Sequence, residues 1–311
     1  EVKHLKKYFD SPRGKVHAVD DVTFSINEGE TMGVVGESGC GKSTLGRTLI
    51  HLQNSTDGQI LFQGKDVTRV DAKELRALRE EMQIIFQDPY SSLNPRMTVK
   101  QTIQEPLLLS GRWKGKTELE EETERLMDLV GIEERLRNAY PHELDGGRRQ
   151  RVGIGRALAL DPKFVVCDEP VSALDVSIQA QVLNLLQQLQ KDFNLTYLFI
   201  SHDLSVVEMI SDRIGVMYLG TIVETAPKKE LYANPRHPYT RALLSAVPIP
   251  DPEAKMNRIV LEGSIPSPAN PPEGCKFHTR CAHCMERCKH EAPVQKEVEP
   301  GHYVVCHLYD K

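Results

Sequence analysis

The chain has 311 residues, 40% of them hydrophobic and 27% charged, and a formal net charge of -5. These values are typical of a globular protein, and they give no polybasic surface for nucleic acid. The sequence contains no run of about 18 apolar residues, so no transmembrane helix is expected and any membrane role would come through partner subunits. The length suits one large α/β domain with an appended region, or two domains.

The first thirty residues contain extended-looking runs that end in a turn at residues 27–30. Tyr8 and Phe9 are adjacent, and neighbours on a strand face opposite ways, so only one of them can face a ligand. We expect one ring to pack inward, while the other could stack on a base. An aromatic residue at such a position is more often part of the core.

Residues 33–44 combine an apolar strand, a glycine-rich turn and the start of a helix. Residues 36–43 fit the pattern G-x-x-x-x-G-K-[ST], whose glycines let the backbone N–H groups point inward at a phosphate beside a helix N-terminus. Lys42 adds a positive charge and Ser43 a hydroxyl for Mg²⁺. The alternative is a turn without a ligand, but the strand before it and Leu45 after it favour a phosphate site.

Two further strands are predicted at residues 59–64 and 82–86, with a helical stretch between them. Gln87 follows the second strand and leads into the turn-rich residues 88–95. A glutamine where a strand meets a loop is usually a surface residue, so its functional interpretation depends on the rest of the chain.

Residues from about 98 to 139 look helical, and their apolar stripe is interpreted as core: Leu119, Thr123, Leu126, Leu129 and Val130. Residues 144–151 then open another helix, which Pro162 ends.

An entirely apolar strand at residues 164–167 runs into Asp168 and Glu169. Parallel strands buried on both faces place ligands at their carboxyl ends, so Asp168 would face Mg²⁺ and Glu169 the attacking water. A helix cap or a solvated turn is the alternative, and it is favoured for two acids taken alone. The strand at residues 196–200 ends near His202, which would join the same edge of the sheet.

Together these motifs resemble the nucleotide-binding subunit of an ATP-binding cassette (ABC) transporter, over essentially the whole chain. The six matches are a P-loop at 36–43, a Q-loop at Gln87, a signature-like 144–150, a Walker B strand at 164–168, a D-loop at 172–175 and a switch histidine, His202. Residues 86–95 and 237–244 are similar to the oligopeptide and dipeptide importer branch, whose substrates are short peptides, with nickel complexes in some relatives.

The resemblance implies an α/β fold with a P-loop NTPase (RecA-like) core, an antiparallel β subdomain and a helical subdomain at about 88–160. These parts would make up a nucleotide-binding domain at 1–230. A C-terminal, cysteine-containing extension with a metal or iron–sulfur site would follow at 231–311.

The resemblance also implies roles for single residues around ATP and Mg²⁺. Tyr8 would stack on adenine, and the loop would bind ATP through Gly36, Glu37, Ser38, Gly39, Cys40, Gly41, Lys42, Ser43 and Thr44. Magnesium would be held by Ser43, Gln87 and Asp168. Glu169 would polarise the hydrolytic water, His202 would contact the γ-phosphate, and Gln87 would assist catalysis.

In this family ATP lies between two subunits, and the signature of one faces the P-loop of the other. The signature acting in trans is Leu144, Asp145, Gly146, Gly147 and Arg148, and the D-loop is Ser172, Ala173, Leu174 and Asp175. Asp145 stands where the family has serine, and Arg148 where it has glutamine. A carboxylate about 4 Å from a phosphate oxygen is repelled by ~1 kcal/mol in water and ~4 kcal/mol at an effective dielectric of 20. We expect weak hydrolysis at the composite site that uses this signature.

The implied partners are a second ATPase subunit, expected to be a different chain, two transmembrane permease subunits and, indirectly, an extracytoplasmic peptide-binding protein. Nucleic acid is not an expected partner. The chain would lie peripherally on the cytoplasmic face of the cell membrane, held by the permease subunits.

Five of the seven cysteines cluster near the C-terminus, after a proline-rich stretch from about residue 228. In the peptide-importer branch similar regions carry cysteines that match Cys275, Cys281, Cys288 and Cys306, whereas Cys284 lies outside that pattern. A reducing cytosol argues against disulfides. Structural zinc favours paired C-x₂₋₄-C spacings, which only Cys281 and Cys284 offer, and the wider spacings suit a [4Fe–4S] cluster at least as well. We expect the cluster, with zinc or free thiols as the alternatives.

Three other functions stay open. One is an ABC ATPase that acts in translation or DNA repair, and another is a subunit of a nickel-complex importer. The third is a non-catalytic regulatory or iron–sulfur sensing module, against which Lys42, Asp168, Glu169 and His202 argue.

Overall fold

The computed structural model describes residues 1–12, 14–247 and 258–310. The chain forms two compact units, the first comprising Glu1–Ile26, Thr31–Arg69 and Ile200–Lys311, and the second Asn27–Glu30 and Val70–Phe199. These units are not divided at residue 230, so the division into a 1–230 domain and a 231–311 extension stays a prediction.

Strands and helices alternate through the middle of the chain, as the predicted α/β class requires. The strands of the described residues are β1 (Val2–Ser11), β2 (Gly14–Phe24), β3 (Thr31–Val35), β4 (Asp57–Phe62), β5 (Lys65–Asp66), β6 (Met82–Ile85), β7 (Phe164–Asp168), β8 (Thr196–Ile200), β9 (Arg213–Tyr218), β10 (Thr221–Pro227), β11 (Gln295–Glu299) and β12 (His302–Val305). The α-helices of the same residues are α1 (Lys42–Leu49), α2 (Ala72–Glu81), α3 (Pro89–Ser92), α4 (Val99–Ser110), α5 (Lys116–Leu129), α6 (Gly146–Leu158), α7 (Val176–Phe193), α8 (Leu204–Ile210), α9 (Lys228–Ala233) and α10 (Pro238–Ser245).

The first unit holds two sets of strands. One is antiparallel, in the order β2-β1-β4-β5. In the other the order is β11-β12-β10-β9-β3, with β3 and β9 parallel and the remaining pairs antiparallel. Every residue of β3 is buried, so the strand that leads into the glycine-rich turn belongs to the core.

The second unit contains β8, β7 and β6 as neighbours in that order, and β6 and β7 run parallel. All residues of β7 and β8 are buried, as expected for apolar strands covered on both faces. The surrounding helices pack closely: Gly155 of α6 lies against Ile103 of α4 and Val130, where an added Cβ would meet both side chains at 3.4 Å.

The region predicted to be helical from about 98 to 139 consists of two helices with a break. Gly111 ends α4 in the left-handed conformation, with φ of 70°, which glycine adopts at little cost. The predicted apolar stripe is buried at Leu119, Thr123, Leu126 and Val130, while Leu129 is half-buried.

The C-terminal region packs into the first unit through aromatic rings. Tyr218 of β9, Tyr239 of α10 and Phe277 lie with ring centroids 4.8 to 5.5 Å apart. In the proline-rich stretch, the carbonyl of Pro268 accepts a hydrogen bond from the His17 N–H at 2.9 Å. The part of the stretch around Pro268 therefore lies against β2, whereas Pro248, Pro250 and Pro252 are outside the described residues.

Among the described residues, no helix combines the length and apolar content needed to cross a bilayer.

Candidate nucleotide site

The glycine-rich turn between β3 and α1 depends on two glycines. A Cβ at Gly36, whose φ is 157°, would lie 2.1 Å from the carbonyl oxygen of Met217, and one at Gly41, with φ of 107°, 1.9 Å from that of Ala18. Both distances are far below van der Waals contact, so the turn can form only with glycine at these positions. Ser38 and Gly39 form its exposed tip.

Lys42 opens α1 and is buried, with 4% of its surface exposed. Its Nζ donates to the carbonyl oxygens of Gly36 at 2.8 Å and Glu37 at 3.1 Å. No side chain caps this end of α1, and Ser43 and Thr44 lie half-buried in its first turn. The structure thus places a cation and a helix N-terminus at one loop, which is the arrangement that binds a phosphate.

Residues of the C-terminal region contact this loop, a feature that sequence reasoning missed. The N–H of Glu37 donates to the Tyr239 hydroxyl at 3.0 Å, so this amide is bound within the protein. The Glu37 carboxylate is paired with Arg280. The only sequence signal was indirect, because Tyr239 lies in the 237–244 run and Arg280 between two of the clustered cysteines.

Tyr8 is half-buried and stacks on His17, with ring centroids 4.1 Å apart. Its hydroxyl donates to Asp20, which Lys276 also contacts at 2.6 Å. Burial raises the pKa of Asp20, but hydrogen bonds from Lys276, Tyr8 and His17 outweigh it and lower this pKa to about 2. The Tyr8 ring is therefore held by polar partners, and its stacking on adenine stays a prediction.

The rings of Tyr8 and Phe9 are both half-buried, so neither belongs to the fully buried core, and which of them packs inward stays a prediction. The register shifts of β1 against β2 lie before Tyr8, and Tyr8 and Phe9 pair regularly with His17 and Val16. The two side chains therefore lie on opposite faces of the strand.

His202 follows β8 and is exposed in the first unit. The preceding residue, Ser201, donates its N–H to the carbonyl of Val34 in β3 at 3.2 Å. His202 is therefore next to Ser201, the residue that contacts the strand leading into the glycine-rich turn.

In the second unit, the structure brings Gln87 and Glu169 together. Gln87 Nε2 donates to Glu169 Oε2 at 2.9 Å, linking the end of β6 to the end of β7. Asp168, the last residue of β7, is fully buried. Glu169 adopts φ of 49°, in the left-handed region that residues other than glycine rarely occupy. The two predicted acids thus lie at a strand end, with one carboxylate oriented by an amide.

The signature residues form the start of α6. Asp145 is its N-cap and accepts a hydrogen bond from the Arg148 N–H at 2.7 Å. The Arg148 guanidinium also reaches Asp145 Oδ2 at 3.0 Å and Glu133 Oε1 at 2.9 Å. Leu144 is buried and its backbone bonds to Pro141. Asp145 and Arg148, the two residues that differ from the family's signature, are therefore bonded to each other.

The D-loop lies against the signature within the second unit. Leu174 Cδ2 would be 3.1 Å from a Cβ at Gly146, and Ile178 Cγ2 would be 2.5 Å from one at Gly147. The Ser172 hydroxyl donates to the Glu169 carbonyl at 3.1 Å. Ala173 is exposed, and Asp175 precedes α7 as its N-cap. The D-loop is thus connected both to the signature glycines and to Glu169.

The C-terminal cysteines lie near one another, since Cys275 and Cys306 each interact electrostatically with Cys281 and Cys288. Cys288 and Cys306 are buried, Cys275 and Cys281 are half-buried, and Cys284 is exposed. Cys275 donates its N–H to the Cys288 carbonyl at 2.8 Å. Burial and the neighbouring cysteines raise the pKa of Cys275 to about 12 and that of Cys306 to about 11.

Three potential metal ligands come within 4.8 Å of one another at a single group of described residues, Glu230, Glu299 and His302. Glu299 is ion-paired with Arg236, and His302 contacts Glu224 at 2.7 Å. We interpret this group as part of an ion-pair network. No three of the described cysteine sulfurs are that close.

A buried strand, a glycine-rich turn and a helix that begins with lysine define the chain as a nucleotide-binding protein of the P-loop class. The family model of the ABC transporter matches residues 19–172, and that of the oligopeptide/dipeptide transporter C-terminal region matches residues 223–288.

Similar proteins cover almost all of the chain. The oligopeptide transport ATP-binding protein AppF of Bacillus subtilis is 54% identical, over 99% of this chain and 97% of its own length. OppF of the same organism, also an oligopeptide transport ATP-binding protein, is 53% identical over 98% of this chain and 95% of its own length. Among solved structures, the ATP-binding cassette MJ0796, a dimer bound to ADP and Pi, matches with a TM-score of 0.66 at 27% identity over 73% of this chain and 97% of that one. CbiO1 from Clostridium perfringens, part of a cbiONQ transporter complex, gives a TM-score of 0.66 at 28% identity over 75% and 92%.

The chain therefore belongs to the ATP-binding subunits of ABC transporters, which are ATPases, and within them to the oligopeptide and dipeptide branch. The resemblance noted from the sequence and the predicted fold class are both confirmed.

Proposed function

We propose that this chain is the ATP-hydrolysing, energy-coupling subunit of an importer for dipeptides and oligopeptides. The observation that carries this proposal is the near full-length similarity to two oligopeptide transport ATP-binding proteins. The match to the C-terminal region of peptide transporters supports it independently of the cassette.

In the proposed mechanism, the loop binds the β- and γ-phosphates of ATP. Lys42 is held inside the turn by two carbonyl oxygens, so its charge is in place before ATP binds. Catalysis of phosphoryl transfer consists mainly of positioning and of charge neutralisation, which explains why few residues act covalently.

We assign Mg²⁺ to Ser43, Gln87 and Asp168, whose hydroxyl, amide and carboxylate oxygens are the hard donors that this ion prefers. When bound, the ion neutralises charge on the phosphates. Glu169 polarises the attacking water, and the amide of Gln87 orients its carboxylate. His202 contacts the γ-phosphate.

We further propose that the composite site formed with this chain's signature hydrolyses ATP weakly. Arg148 partly neutralises the Asp145 carboxylate, but it cannot supply the hydroxyl donor that serine gives in the family. The other composite site, which uses Lys42 and Glu169, is competent when the partner ATPase brings an intact signature.

The proposed partners are a second, different ATPase chain, two membrane-spanning permease subunits and, indirectly, an extracytoplasmic peptide-binding protein. The chain then lies on the cytoplasmic face of the membrane, held there by the permease. Family membership and the similarity to peptide-transport ATPases support this arrangement.

We propose that Cys275, Cys281, Cys288 and Cys306 hold a [4Fe–4S] cluster. Four thiolates suit such a cluster, and their spacing supports it over zinc. Brown, anaerobically prepared protein with about four iron and four sulfide per chain is expected. Colourless protein with stoichiometric zinc would refute the cluster.

Affinity purification of the tagged chain from native membranes tests the proposed function. Two permease subunits and a second ATPase are expected to copurify. Copurification of ribosomes or DNA-repair proteins without a permease, together with stimulation of the ATPase by nucleic acid, would instead favour an ATPase of translation or repair. A permease specific for nickel complexes would favour the nickel importer.

A further inference from the structure

A residue of the C-terminal region is clamped onto the glycine-rich loop. The Arg280 guanidinium donates to both carboxylate oxygens of Glu37, through Nη1 at 2.7 Å and Nη2 at 3.2 Å. The Arg280 side chain is 7% exposed and that of Glu37 26%. A two-point contact between planar groups fixes orientation as well as distance, which a single hydrogen bond does not.

The backbone of the same loop residue is held by a second C-terminal residue. The Glu37 N–H donates to the Tyr239 hydroxyl at 3.0 Å, and Tyr239 packs against Tyr218 and Phe277. The Arg280 guanidinium lies 6.0 Å from the ring centroid of Tyr218. Glu37 is therefore fixed at both its side chain and its peptide group by one aromatic and cationic cluster.

This fixation extends to the lysine of the loop, because the carbonyl oxygen of Glu37 accepts a hydrogen bond from Lys42 Nζ at 3.1 Å. A rotation of Glu37 would move that carbonyl and, with it, the Lys42 ammonium. The charge of Glu37 matters as well. A carboxylate in a phosphate-binding loop repels the ligand unless a cation neutralises it, and Arg280 supplies that cation.

We propose that Arg280 is a positioning residue for nucleotide binding: it locks Glu37, keeps the loop in the conformation that presents Lys42, and neutralises the only side-chain carboxylate of residues 36–44. The inference rests on the proposed role of this loop as the phosphate site.

The test measures the dissociation constant for ATP by calorimetry, using the full chain carrying Glu169→Gln so that turnover does not interfere. Arg280→Ala is expected to weaken ATP binding about tenfold, and Arg280→Lys less, because a lysine keeps the charge and loses the two-point contact. In the assembled transporter with Glu169 intact, Arg280→Ala should raise KM for ATP while kcat changes less than about twofold. Arg236→Ala is the matched control, since this arginine pairs with Glu299 in the same unit.

Glu37→Gln keeps the experiment decisive if Arg280→Ala fails to fold. It should weaken ATP binding less than Arg280→Ala does, because it removes the repelling charge together with the contact. In the Glu37→Gln background, Arg280→Ala should add little further loss. The proposal is overturned if Arg280→Ala lowers only the thermal midpoint of unfolding and leaves ATP affinity unchanged. It is also overturned if the losses of ATP affinity caused by Arg280→Ala and by Glu37→Gln add in the double variant. Lys42→Ala distinguishes failure of the Arg280 proposal from failure of the proposed phosphate site. If ATP binding is unchanged in Lys42→Ala, this loop is not the phosphate site.

Discussion

At the scale of single residues, Glu169 is held by both its backbone conformation and a side-chain hydrogen bond. Its φ of 49° is a conformation that costs a residue other than glycine on the order of 1–3 kcal/mol. The hydrogen bond from Gln87 fixes the carboxylate as well. The fold thus maintains a strained backbone at Glu169, the residue proposed to polarise water. Strain of this kind is found at functional sites, where it helps to hold a side chain in position.

Replacing Glu169 by glutamine keeps the shape of the side chain but removes its ability to accept a proton. We expect ATP binding to persist and the ATPase rate of the assembled transporter to fall by about a hundredfold or more. Parallel binding and turnover assays check this, with Glu121→Gln on the exposed face of α5 as the control. Turnover above about a tenth of the wild-type rate would exclude Glu169 from the reaction.

Asp145 offers a second test, because serine can replace it without loss of the helix cap. Both residues are good N-caps, so α6 should keep its stability in Asp145→Ser. If Asp145 faces the partner's nucleotide as proposed, removing its carboxylate should raise the ATPase rate of the assembled transporter at least about twofold. Asp145→Ala, which lacks both the cap and the hydroxyl, is the comparison. A rate that is unchanged or lower in the serine variant would contradict the weak-site hypothesis.

At the scale of elements, the sequence predicted what depends on local pattern. The apolar runs of β3, β7 and β8 predicted buried strands, and the P-loop spacing predicted the turn and the start of α1. Asp145 at the start of α6 was also predictable, because its capping role follows from residue type and position. These features need no knowledge of distant parts of the chain.

Other features were not predictable, because they join residues far apart in sequence. Arg280 and Glu37 are separated by 243 positions, and no periodicity or motif connects them. The irregular pairing of β1 with β2 between Val2 and Tyr8 had no signal in the sequence either. The ion pair between Lys276 and Asp20 forms because the C-terminal region packs on β2.

The Asp20 network predicts a dependence of stability on pH. The pKa of Asp20 in the folded protein, about 2, lies below its ordinary value of 3.8, so its contribution is present above about pH 4 and is lost as the pH falls towards 2. Because the Asp20 side chain is partly exposed, we expect its network to contribute about 1–2 kcal/mol to the free energy of unfolding. The free energy of unfolding, measured with urea between pH 2 and 5, should fall less steeply with decreasing pH in Asp20→Asn than in the wild-type chain. Asp192→Asn, at an exposed residue, is the control. The same pH dependence of this free energy in Asp20→Asn and the wild-type chain would contradict the role of Asp20.

At the scale of the whole molecule, the C-terminal region is an integral part of the first unit. Its strand β12 pairs with β10, and Phe277 is 2% exposed among Tyr218, Tyr239 and His237. A region matched by a separate family model thus completes the unit that contains the P-loop.

Truncation of Phe277 tests this integration. Phe277→Ala should lower the free energy of unfolding by about 3–5 kcal/mol, since it removes a fully packed aromatic side chain. Val294→Ala, at a residue of the same region that is 65% exposed, should change it by less than about 0.5 kcal/mol. Denaturant titration measures both, and a loss below about 1 kcal/mol for Phe277→Ala would show that the region is only loosely attached.

In the proposed function the chain acts together with other subunits to couple ATP hydrolysis to peptide transport. The most direct measurement is uptake of a radiolabelled mixture of short peptides into ATP-loaded vesicles that contain the assembled transporter and its binding protein. Uptake should require ATP and should be lost in Lys42→Ala, while assembly of the subunits is retained. ATP hydrolysis without any peptide uptake, or uptake that persists in Lys42→Ala, would contradict the account.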